Sequence, residues 1–223
     1  MMESQRQPAR MDDIGLDIGK GMQDRKHLII IERMESLAAT HCRQGRTQEA
    51  RDICSNILEL CTSVLGETDP CTIRSMENLA IIYDQEGLSK KVEDIYMKVL
   101  PLRKEVLGEQ HPDTVRSMAN LAATYHLQGR LSQAEEMNAR VLKLRKELLG
   151  EKHSDTIQSM ADLATTYHQQ GRSDEAEGIY VRVLSLRKEV LGDRHPDALR
   201  SMAHLAATHH RQGRSGEAEE GCV

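Results

Sequence analysis

The stretch Asp113-Thr114-Val115-Arg116-Ser117-Met118-Ala119-Asn120-Leu121-Ala122-Ala123-Thr124-Tyr125-His126-Leu127-Gln128-Gly129-Arg130 decides the fold. Val115, Met118, Leu121, Ala122 and Tyr125 recur at the ~3.6-residue spacing of one helix face, and Gly129 supplies a left-handed stop. Beyond Arg130 a second apolar stripe of Ala134, Met137, Val141, Leu144 and Leu148 predicts another helix, with Glu135, Glu136, Arg140, Lys143 and Lys146 on its other faces. Gly150 and the His-Ser or His-Pro pair that follows in each copy end it. Ser132 and Glu135 have the spacing of a capping box at its start. The turn at Gly129 has room only for an antiparallel helix pair. No segment alternates with period two, so no strand is expected.

The pair is one copy of several. Asp155 to Pro196 matches Asp113 to Ser154 at 25 of 42 positions without a gap. Three ladders share this 42-residue period: Leu65, Leu107, Leu149 and Leu191, each followed by Gly and an acid; Gly45, Gly87, Gly129, Gly171 and Gly213; and Met34, Met76, Met118, Met160 and Met202. About five units follow, with approximate bounds 28–70, 71–112, 113–154, 155–196 and 197–223. One helix pair cannot bury its own apolar stripe, so each must lean on the next, and the expected class is an all-α solenoid of stacked helix pairs. Residues 1–26 are polar and carry no sustained stripe, so they read as disordered or loosely helical, leaving 27–223 as the repeat domain. The last unit has a full first helix, but its second stops at Val223 after about two turns, and self-association through this unfinished repeat is expected.

Composition narrows the function. The net charge of −5 gives no electrostatic reason to coat nucleic acid or anionic lipid. No Trp, no Phe and 5 Tyr leave no aromatic platform for stacking bases. Five cysteines without a CxxC pair, and an N-terminus without a secretory apolar core, point to a reducing, cytoplasmic setting. The longest apolar run, Leu28 to Ile31, is far short of a membrane span. No phosphate loop, HExxH or GxSxG occurs, so neither an enzyme nor a cofactor is expected.

The pattern Met118-x-x-Leu121-Ala122-x-x-Tyr125-x-x-x-Gly129-Arg130-x-x-x-Ala134 resembles the tetratricopeptide repeat (TPR). The longer unit and the Leu-Gly-Glu-x-His-Pro-Asp-Thr block at 107–114 resemble the kinesin light chain variety of it. The resemblance covers roughly residues 28–220 and implies a right-handed superhelix with the first helix of each pair lining a concave groove. Met118 stands where the pattern prefers Trp, and Asn138 where it prefers an aromatic residue. The heptad coiled coil of kinesin light chains has no counterpart in residues 1–26.

Two histidine ladders, His111, His153, His195 and His126, His168, His210, raise the question of metal. Equivalent positions lie two helix layers apart, ~16–20 Å at ~8–10 Å per layer, too far for a shared zinc, so these are copies of one helix-end residue and no metal is expected. Cys54 and Cys61 read as small core hydrophobes. The groove face implied by the resemblance carries Arg74, Arg116, Gln158 and Arg200 at one position, Asn78, Asn120, Asp162 and His204 at a second, and Ala123 at a third. Only the second Asn of the family's Asn-Asn pair is present, at Asn78 and Asn120. Asn offers both a donor and an acceptor to a peptide backbone, and Arg offers a fork to carboxylates. The expected role is a non-enzymatic scaffold or adaptor holding a protein or peptide segment, with acidic residues favoured near Arg74 and Arg116. Two alternatives stand beside it: a shortened sensor or oligomerisation array like those of NLR-like proteins with NACHT or NB-ARC domains, and an accessory protein of a biosynthetic pathway.

Overall fold

The structure is a computed structural model that describes residues 11–211 and 213, with side chains from His27 onward. Part of the expected N-terminal segment, the short last helix and the self-association assigned to it lie outside the described residues. Among those described there are nine α-helices and no strand. They are α1 (Met11–Arg43), α2 (Thr47–Leu65), α3 (Pro70–Gln85), α4 (Ser89–Leu107), α5 (Pro112–Leu127), α6 (Leu131–Leu149), α7 (Ser154–Gln169), α8 (Ser173–Leu191) and α9 (Pro196–Arg211). α1 begins at Met11, within the stretch read from sequence as disordered or loosely helical. The chain divides into two compact units at Glu86/Gly87. In the first, α1 packs on α2 and α2 on α3; in the second each helix from α4 to α9 packs on the next. This is an all-α TPR-like solenoid in which odd-numbered helices are the first of each pair.

The helix starts explain one histidine ladder. Asp69 Oδ1 accepts a hydrogen bond from the Cys71 amide at 2.7 Å as the N-cap of α3. At the same place in later repeats His111, His153 and His195 use Nδ1 to accept from the amides of Asp113, Asp155 and Asp197, each at 3.2 Å. Each ring satisfies one orphan N–H of a helix end. Pro70, Pro112 and Pro196 occupy the first helical position, where a missing N–H costs nothing. The even-numbered helices start differently. The N-cap of α6 is Arg130, which makes no side-chain capping bond, and Glu135 turns instead toward Arg172 and Gln170. The capping box read at Ser132 and Glu135 is therefore not formed.

The first-helix stripe is buried as its period requires: Val115, Met118, Leu121, Ala122 and Tyr125 are all inside. On α6, Ala134, Val141 and Leu144 are buried, but Leu148 is 42% exposed. The last turn of each even helix from α4 onward runs past its neighbour, so Leu107, Leu149 and Leu191 are exposed as well. Distinct clusters fill the interior. Ile31, Ile57 and Cys61 form one in the first unit; in the second, Val115, Met118, Val141 and Leu144 form one, and Ile157, Met160, Ala161, Val183 and Leu186 another.

Polar ladders tie successive pairs. Arg187 is 4% exposed and donates to the Asp197 carbonyl, Ser201 Oγ and Gln158 Oε1 at 3.1, 2.9 and 2.8 Å. One repeat earlier Arg145 reaches the Asp155 carbonyl and Ser159 Oγ at 3.0 and 2.8 Å. At the same position in the first repeat stands Cys61, whose Sγ lies 3.5 Å from Ser75 Oγ. A second ladder joins each Gly-Arg turn to the preceding even helix. Glu93 receives Arg130 at 2.6 Å and Gln128 at 3.1 Å, while Glu135 receives Arg172 and Gln170, each at 2.8 Å. The first unit reverses the charges, with Arg51 on α2 donating to Glu86 at 2.7 Å.

Candidate functional site

The side chains expected on the groove face lie on the odd-numbered helices, and the structure shows what each one meets. Arg74 donates through Nε and Nη2 to the two carboxylate oxygens of Glu35, both at 3.3 Å. Arg116 pairs with Asp113 at 2.8 Å and Arg200 with Asp197 at 3.2 Å, each one turn back on its own helix. All three guanidinium groups remain half exposed, and all three already hold a carboxylate. Asn120 Nδ2 donates to the Tyr96 hydroxyl at 2.8 Å. Gln158 bridges, accepting from Arg187 and donating to Asp162 Oδ1 at 2.8 Å. Burial pushes the Asp162 carboxyl above its ordinary range, with Gln158, Arg145 and Arg187 opposing. His204 stacks on Tyr180 with ring centroids 5.4 Å apart and planes 4° from parallel, and burial, then Arg187 and Arg200, lowers its pKa.

A position that the sequence reading noticed only once organises this face. Cys54, Tyr96, Asn138 and Tyr180 are equivalent residues of α2, α4, α6 and α8, 42 residues apart, and all are buried. Both tyrosines extend to the odd-helix face: Tyr96 reaches Asn120, and Tyr180 reaches Thr165 Oγ1 at 2.9 Å and lies under His204. Where the ring is missing, space opens. Cys54 lies at the bottom of a cleft of about 880 Å³ between α1 and α3. Asn138 lines a cavity of about 240 Å³ between α5 and α7. The ladder was visible in the 42-residue register, but the direction of the ring depends on how adjacent pairs pack.

The α1–α3 cleft has walls of mixed chemistry. Ala38, Ala39, Ile81 and Ile82 supply apolar surface, and Asn78 and Gln85 supply amides. The Glu35/Arg74 pair and Arg43 add charge. Burial, with Cys42 and Glu35 nearby, pushes the Cys54 thiol up to about 11, so it is protonated at neutral pH and behaves as part of the apolar surface. Of the predicted residues, Arg74 and Asn78 meet in this cleft, while Ala123 and Asp162 meet in the smaller cavity of the second unit. Among the described residues no cluster of His, Cys, Asp or Glu is arranged to hold a metal ion. Among them, too, no helix is long and apolar enough to cross a membrane.

Comparison with known proteins agrees with this architecture. The tetratricopeptide repeat model matches residues 31–105, 93–147, 156–197 and 193–220. No curated protein matches the sequence. Among solved structures, a Podosopora anserina protein described as a kinesin light chain with nearly identical TPR-like repeats is 24% identical, with a TM-score of 0.76, covering 86% of this chain and 90% of its own. BtubC (BKLC) from P. vanneervenii is 21% identical, with a TM-score of 0.78 and coverage of 94% and 83%. A Rap protein in complex with competence and sporulation factor is 14% identical, with a TM-score of 0.67 and coverage of 94% and 56%. With the 42-residue register, the left-handed glycines and the family match over most of its length, the chain belongs to the tetratricopeptide repeat family.

Proposed function

We propose that the protein is a non-enzymatic scaffold that holds a segment of a partner protein on its odd-helix face, with the α1–α3 cleft as the principal seat. The observation that carries this reading is the open volume of about 880 Å³ above Cys54, where Tyr96 and Tyr180 fill the equivalent space in their own repeats. Apolar walls with a few placed amides and one arginine suit an extended chain whose side chains alternate between pocket and solvent. Asn78 provides a donor and an acceptor for the backbone of such a chain. A partner carboxylate competes with Glu35 for Arg74. That exchange is cheap because an exposed ion pair is worth only about 0–1 kcal/mol. The fold of the Rap protein crystallised with competence and sporulation factor supports the reading by analogy.

A peptide array probed with the wild-type chain and with Cys54→Tyr tests it. The substitution restores the ring found in the second and fourth repeats, and binding is expected to fall at least about tenfold, or about 1.4 kcal/mol. Peptides that bind wild type and Cys54→Tyr equally would overturn the assignment of the cleft. Among the peptides retained by wild type, Arg74→Glu is expected to weaken the acidic ones selectively.

A further inference from the structure

The cavity at Asn138 has a shape that the chain itself explains. Ala119, Ala123 and Leu127 of α5 form its apolar side, and Asp162 and Thr165 of α7 face them. Asn138 is nearly buried and donates to Thr166 Oγ1 at 3.2 Å, so it is held back from the opening. Position 138 is the tyrosine position of the ladder. Tyr96 places its hydroxyl on Asn120, and Tyr180 lies against His204, the residue one repeat beyond Asp162. Asp162 is the matching residue of α7, so a phenol ring in this cavity would have its hydroxyl end at the Asp162 carboxylate. Its volume of about 240 Å³ exceeds the ~150 Å³ of an engineered cavity known to take benzene.

We infer that this cavity is a side-chain pocket for a tyrosine of a partner segment, the guest ring occupying the place of the aromatic residue this repeat lacks and its hydroxyl donating to Asp162. The pocket rests on the scaffold reading but belongs to the second unit, separate from the cleft at Cys54. Three features favour a neutral donor over a cation. Gln158 holds one oxygen of Asp162 and accepts from Arg187 with its own carbonyl, which brings a guanidinium one hydrogen bond away. Arg145 and Arg187 both act on the Asp162 carboxyl through space. A third cation would meet that field, whereas a phenol brings a donor without charge. His126, which lines the same cavity, keeps a buried Nε2 without a hydrogen-bond partner, a second polar atom for the guest segment to satisfy.

The test uses the full chain and p-cresol, the side chain of tyrosine as a free molecule, with toluene as the probe lacking the hydroxyl. In two-dimensional NMR p-cresol is expected to give saturable shifts clustered at Ala123, Asn138 and Asp162, with a millimolar Kd as befits so small a ligand. Toluene is expected to bind several-fold more weakly. Asn138→Tyr should abolish the shifts and raise the unfolding midpoint by a few degrees. Ala123→Leu, at an exposed position, blocks the pocket independently should Asn138→Tyr misfold. No saturable shift with wild type, or shifts unaffected by both blocking variants, overturns the pocket. Equal binding of toluene and p-cresol overturns the role of Asp162. None of these readings depends on a peptide or on Cys54, so the pocket and the cleft fail or stand separately.

Discussion

Gly150 ends α6 with φ 84° and ψ 166°, a conformation essentially reserved for glycine, and Gly66, Gly108 and Gly192 repeat it at the ends of α2, α4 and α8. A Cβ at Gly150 would meet nothing within 4 Å, so the requirement is one of backbone and not of space. Gly150→Ala is therefore expected to destabilise the protein by about 1–3 kcal/mol, the cost of holding an L-residue there. Urea unfolding measures it, and an unchanged midpoint would show that the turn relaxes freely. The tyrosine ladder carries function at the same scale. Cys, Tyr, Asn and Tyr at one register position decide, repeat by repeat, whether the odd-helix face is filled or open. Met118 answers a smaller question: it is fully buried where the family pattern prefers a larger ring, and the interior closes around it.

Between helices, the Gly-Arg turns are pinned by carboxylates on the preceding even helix. Glu93 is nearly buried, and hydrogen bonds from Arg130 first, then Gln128 and Lys90, hold its carboxyl below the ordinary range, with desolvation opposing. A carboxyl whose folded pKa is depressed stabilises the fold above its unfolded value of about 4.3, and this contribution is lost as pH falls through the folded value. Wild type is thus expected to lose stability more steeply than Glu93→Gln below about pH 4.3. Urea midpoints taken from neutral to acidic pH decide it, and parallel curves for the two proteins would remove Glu93 from the acid response. At neutral pH the pair with Arg130 contributes about 1 kcal/mol or less, because the guanidinium is partly exposed. The opposite polarity of Arg51 and Glu86 in the first unit gives that turn its own pairing, so the staples are not interchangeable along the chain.

At the scale of the molecule, every substantial helix contact within each unit is between neighbours in sequence. α5 buries Val115 and Met118 with Val141 and Leu144 of α6, and Leu100 of α4 packs on the same cluster. Removing α4 and α7 therefore exposes apolar surface on both sides of the α5–α6 pair. A peptide of residues 112–149 is expected to show little helix by circular dichroism and no cooperative melt, whereas the whole chain melts cooperatively. A sharp transition in the peptide would mean that each hairpin owns its core.

The repeat length, the two helices per unit, the buried stripe and the glycine stops could all be read from sequence, because a strict 42-residue register displays the same physical solution several times over. The groove-face residues could be named from the same register, yet their partners could not. Arg74 is neutralised by Glu35, 39 residues away, and Gln158 is held between Arg187 and Asp162. Side-chain direction at Tyr96 and Tyr180, and so the openings left by Cys54 and Asn138, was decided only by how one pair leans on the next. Local periodicity specifies which face is apolar. Whether a missing ring becomes a cavity or is closed by its neighbours depends on packing between repeats, which periodicity does not encode.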